Sequence, residues 1–165
     1  MLAIGAAEAA WYLPFVAPIC LYVAFTDLRD MKITNKTVLL LAGLFLVLGL
    51  ITLPIVEYGW RLFQLFVVLA IGFVLNAAGI MGGGDAKFVA AAAPYVALPD
   101  VGIVFVIYTI TMLAAVLTHR IARRSGLRRL APNWVSWESS PKFPMGFVLG
   151  PTLAIYLAAG VVAGA

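Results

Sequence analysis

The chain has 165 residues, 64% of them hydrophobic and 11% charged, with eleven Lys and Arg against seven Asp and Glu. Its mean hydropathy is +1.08 and its net charge +4. That balance excludes an ordinary soluble domain or a disordered chain, and the single cysteine, Cys20, excludes an intrachain disulfide framework.

The composition predicts one all-α integral membrane domain over residues 1–165, a bundle in which Cys20 packs within the first span. Met1-Leu2-Ala3-Ile4-Gly5 carries no basic stretch, so the first apolar run reads as a retained span rather than a cleaved signal. A membrane helix needs about 17–25 mostly apolar residues. Five runs approach that length: residues 9–26, 38–53, 63–78, 101–118 and 147–162. Pro14 and Pro18 are expected to bend the first. The shorter apolar stretch 86–98 contains Pro94 and reads as a sixth crossing, with a re-entrant segment as the alternative.

The basic residues decide between those two readings. With six crossings, the loops around 27–37, 79–87 and 119–143 share one side and hold ten of the eleven basic residues. Only Arg61 falls on the other side, with Glu8, Glu57 and Asp100. Excess Lys and Arg mark the cytoplasmic face, so both termini are expected outside, with Asp27 and Asp85 inside. Trp11, Tyr12, Tyr58 and Trp60 lie near outer span ends and read as interfacial anchors. The loop 119–143 holds five arginines with Trp134 and Trp137, and is expected to rest on anionic headgroups. The small residues 90–93 place the helix after Asp85 in the middle of the bundle.

Two acidic residues stand at span edges. Asp27 closes the first run and Asp85 opens the fourth, after Gly82, Gly83 and Gly84. A charged group at mid-bilayer costs about 2.5–3.5 kcal/mol on insertion scales, less at the interface, so such carboxylates ask for a reason. Two carboxyls sharing a site divide general acid and base roles, since both cannot ionise easily. The glycines leave room for an extended peptide beside Asp85. Plainer readings stand beside this one. Asp85 could serve as a helix N-cap, and Asp27 could pair with Arg29 or Lys32. Asp30 reads as a solvated loop charge or a helper. Lys87 is expected on lipid phosphate, with a loop-holding or substrate contact as alternatives. Asn35 is expected to cap the second helix, Asn76 to bond a neighbouring helix, and His119 to sit at the interface. No HExxH, histidine cluster or GxxxxGK[ST] loop occurs, so no metal, cofactor or nucleotide is implied. Positive-inside bias accounts for the basic loop without nucleic acid.

Gly82-Gly83-Gly84-Asp85-Ala86-Lys87 matches the GxGDxK motif of the prepilin peptidases (type IV leader peptidases), which are GxGD membrane aspartic proteases. Asp27-Leu28-Arg29-Asp30-Met31-Lys32-Ile33-Thr34-Asn35 resembles that family's first aspartate motif, with Thr34 in place of a proline. Phe143-Pro144-Met145-Gly146 resembles its Pro-x-Gly segment. The resemblance runs from about Pro14 onward and is nearest to the short Flp (tight adherence) members, without the paired CxxC segment of methylating relatives. It implies Asp27 and Asp85 as the catalytic pair. Gly82, Gly83, Gly84, Lys87, Asp30, Asn35, Pro144 and Gly146 would bind substrate or shape loops. The implied substrate is a prepilin or pseudopilin precursor, cut between its basic leader and its hydrophobic helix at the cytoplasmic face of the plasma membrane. Membrane lipids are the other partner; the oligomeric state is open. A preflagellin-type peptidase shares these motifs. Intramembrane GxGD proteases add Tyr-Asp and Pro-Ala-Leu, whereas here Thr26 precedes Asp27 and no Pro-Ala-Leu occurs. A proton carrier or a non-catalytic assembly subunit are the remaining alternatives.

Overall fold

The computed structural model describes residues 1–138 and 142–165. The described residues form six α-helices: α1 Ala6–Asp30, α2 Asn35–Thr52, α3 Ile55–Ala77, α4 Gly83–Ala92, α5 Val101–Arg124 and α6 Gly146–Ala163. All but α4 are long and apolar enough to cross a membrane. Leu, Ile, Val and Phe side chains stand exposed along α2, α3 and α5. That apolar surface far exceeds what water tolerates, and the protein is an all-α membrane protein.

Local chemistry sets the helix ends. α1 runs through Pro14 and Pro18 and stops at Met31, which takes a left-handed conformation (φ 53°). Thr34 then caps α2, its hydroxyl accepting from the Thr37 amide at 3.3 Å. Pro54 follows α2 and occupies the cap of α3, since the residue before a proline leaves the helical region. α4 is broken after ten residues, and Pro94 and Pro99 sit in the short 3₁₀ turns Ala93–Tyr95 and Leu98–Asp100 that replace it.

The core is an aromatic and small-residue seam along α1. Tyr12, Phe45, Tyr58 and Tyr95 interlock, with Tyr12 edge-on to Tyr95 at 5.0 Å and Phe45 stacked on Tyr58 at 5.8 Å. Each phenol finds an acceptor or a hydroxyl partner: Thr52 for Tyr12, the Leu46 carbonyl for Tyr58 and the Leu41 carbonyl for Tyr95. Tyr12 and Tyr58 are therefore core residues rather than interfacial anchors, while Trp11 and Trp60 are exposed as expected. Periodic apolarity does not separate a ring at a span end that faces lipid from one that faces a neighbouring helix.

α6 packs closely along α1, and α4 lies between α2, α3 and α6. The segment from Gly83 to Asp100 runs from one end of the bundle to the other. Gly84 abuts Ile33 at the first end. Asp100 accepts from the Ala3 and Ile4 amides at 2.8 and 3.0 Å, and from the Tyr156 hydroxyl, at the second. Leu2 and Gly164 pair in an isolated bridge there. Arg61, 4% exposed, joins this end through Glu8, Glu57 and the Pro94 carbonyl.

The loop after α5 departs from expectation. It folds back onto α1, with Trp134 edge-on to Phe25 at 6.0 Å and stacked on Trp137 at 5.6 Å. Trp137 stacks on His119 at 4.9 Å and bonds the Ala131 carbonyl. His119 is buried in this cluster, not held at an interface, and Trp137 is buried with it rather than resting on headgroups.

Candidate active site

Asp27 and Asp85 reach the same end of the bundle from different helices. Asp27 lies one turn before the end of α1 and is 5% exposed. Neither basic neighbour takes it. Arg29 bonds Asp30 at 2.7 Å instead, in an exposed pair at the last turn of α1. The partner of Asp27 comes from the far end of the sequence. The Gly146 amide, first in α6, donates to its Oδ2 at 2.6 Å, and the Phe147 amide also faces it.

Asp85 is the third residue of α4, not its N-cap; Gly82 holds that position. Its carboxyl folds back toward the Gly82 amide. Asp85 stands just outside the apolar stretch 86–98. Burial, reinforced by the Asp27 carboxylate, pushes it up to about 6. The two motifs meet at this end of the bundle, with Gly84 of α4 against Ile33 and Lys87 reaching Asn35.

The glycines here are places where a side chain would collide. A β-carbon on Gly82 would meet Asp85 Oδ2 at 2.6 Å, and one on Gly84 would meet Ile33 at 3.3 Å. On Gly146 it would lie 2.9 Å from the Asp27 β-carbon. Gly83 is looser, its nearest neighbour being Asn76 at 3.5 Å.

Around the pair, several expectations are corrected. Thr34, standing where the motif carries proline, caps α2; Asn35 is the first helical residue and does not. Asn35 instead accepts from Lys87 Nζ at 3.1 Å, tying α4 to α2. The lysine thus holds the loop, in place of the expected lipid phosphate contact. Asn76 donates to the Met81 carbonyl at 2.9 Å, a bond within the glycine loop rather than between helices. Pro144 is buried just ahead of α6. Sequence reasoning missed the Phe147 amide and the Ile33 contact. Only the Ile33 position, inside the first motif, carried a signal.

Chemically the end holds two carboxyls, one bonded by backbone amides and one pushed toward its protonated form. Among the described residues, no three His, Cys, Asp or Glu side chains converge as metal ligands. No curated protein and no solved structure matches the chain. A model of the type IV leader peptidase family matches residues 15–118, a stretch that contains both aspartates, Lys87 and Asn35. With more than half of its length matched, the chain belongs to the type IV leader peptidase family.

Proposed function

We propose that the protein is a membrane aspartic endopeptidase that removes the short basic leader from type IV prepilins, of the Flp kind, at the cytoplasmic face of the plasma membrane. What supports this reading is that Asp27 and Asp85 stand at the same end of the bundle on separate helices, the segments that bear them joined by Gly84 against Ile33 and by Lys87 on Asn35. Asp27 takes a proton from water as the water oxygen bonds to the scissile carbonyl carbon. Asp85 gives its proton to the carbonyl oxygen, leaving a tetrahedral diol. Asp27 then protonates the departing nitrogen while Asp85 recovers a proton from the diol, so the C–N bond breaks and both groups return to their starting states.

Six crossings support this chemistry on one side. The stretch 86–98 would make the fourth as a broken helix, its freed backbone groups met inside the bundle by Arg61 and Tyr156. The end bearing Asp27 and Asp85 is also the end of nearly all the basic side chains, which favours the cytoplasmic leaflet. Co-expression with a prepilin tests the reading: Asp27→Asn or Asp85→Asn should leave folded protein in the membrane and abolish cleavage. Normal processing by either variant would reject it.

A further inference from the structure

α6 begins without a side-chain cap of its own. The first four amides of a helix lack intrahelical partners, and their end of the helix carries partial positive charge. The group that meets them here is Asp27, 119 residues away in sequence, through the buried 2.6 Å bond from Gly146. A carboxylate accepts such bonds better than a carboxylic acid does. Asp85 has no equivalent: it leans on the Gly82 amide alone.

We infer that α6 decides which of the two carboxyls bears the charge: its Gly146 and Phe147 amides hold Asp27 as the carboxylate and leave the proton on Asp85. Gly146 is then a positioning residue, acting on the chemistry through Asp27. Only glycine serves there, because a β-carbon would lie 2.9–3.1 Å from the β-carbon, Cγ and Oδ2 of Asp27. This rests on Asp27 and Asp85 being the reacting pair. The charged surroundings leave the assignment to these amides. Residues 143–165 bring no charged side chain, the turn Val135–Trp137 brings none, and Arg29 and Asp30 satisfy one another. In α4, Lys87 is engaged by Asn35, and Asp85 is the second member of the pair.

Two measurements test the assignment. In the wild-type protein in micelles, ¹³C-carboxyl aspartate spectra are titrated, with signals assigned by the Asp→Asn variants. Asp27 should ionise at lower pH than Asp85; the reverse order overturns the inference. In Gly146→Ala, which keeps its amide but pushes on Asp27, the acid limb of the cleavage pH profile should move up by about one unit, with kcat falling and KM held. Lost cleavage with an unmoved profile would mean that Gly146 only packs, and would overturn it too. Failure of the underlying peptidase reading looks different: one or other of the Asp→Asn variants would still cut the precursor normally.

Discussion

Gly82 and Asp85 stand three residues apart across the first turn of α4, and a β-carbon on the glycine would fall 2.6 Å from the carboxyl Oδ2. No other atom beyond that carboxyl comes within 4 Å, so the glycine preserves the position of the acid rather than the packing of the loop. Gly82→Ala should therefore cut prepilin cleavage by about tenfold or more, with an unchanged melting temperature, because a 1 Å misplacement at a reacting group is worth up to about a hundredfold. Gly83→Ala meets Asn76 only at ordinary contact distance and should cleave within about twofold of wild type. A precursor-processing gel on both variants separates the two positions of the motif.

Protonation of Asp85 links the site to stability. Folded, it titrates at about 6; unfolded, at the ordinary 3.8. A raised carboxyl contributes stability that is complete below pH 3.8 and lost as pH climbs through 6. Asp85→Asn should then be more stable than wild type at pH 8, by about 1–2 kcal/mol because the partly open carboxyl is screened. The advantage should disappear near pH 4. Thermal melts in micelles at both pH values measure the difference. The same group sets the basic limb of the proposed reaction, so cleavage should decline as pH rises through about 6.

How legible the site was depends on what each residue signals. Asp27, Asp85 and the glycines announce themselves because carboxyls and backbone freedom are out of place in an apolar chain, and the positive-inside charge pattern groups them on one side. The five long helices follow from apolar run length, although α3 begins at Ile55, eight residues before its run, because Pro54 sets its start. Backbone donors carry no side-chain signature, so the bond from Gly146 to Asp27 could only be seen once α1 and α6 were packed together. Tyr12, Tyr58 and His119 were misplaced for a related reason. An amphipathic ring has the same sequence signature facing headgroups as facing a core acceptor.

Arg61 anchors the end of the bundle opposite the aspartates. Its guanidinium lies 3.5 Å from Glu8 and 3.0 Å from Glu57, and bonds the Pro94 carbonyl at 3.2 Å where the proline breaks α4. Glu8 Oε1 is buried and has no hydrogen-bond donor beyond this ion pair. Removing one partner of a buried pair costs about 3–5 kcal/mol, since the other charge stays behind. Arg61→Met should lower the melting temperature sharply, and adding Glu8→Gln should recover a good part of the loss. Cleavage per folded molecule should stay within about twofold of wild type, the site being a bundle length away.

Gly150 and Cys20 mark the closest approach of α6 to α1. A β-carbon on Gly150 would run into the Cys20 carbonyl oxygen and lie 3.1 Å from its carbonyl carbon. Those are backbone atoms, which no rotamer change moves aside, so Gly150→Ala must displace α6 itself. Overpacking of this kind typically costs about 1–3 kcal/mol. Displacement of α6 also carries the Gly146 amide away from Asp27, so cleavage should fall together with stability. Gly43→Ala and Gly102→Ala are the controls, since nothing lies within 4 Å of a β-carbon at either position. Alanine in an open helical position gains up to about 1 kcal/mol over glycine, so both should melt at or above wild type and cleave normally. Equal behaviour of all three variants would mean that α6 does not rest on α1 through Gly150.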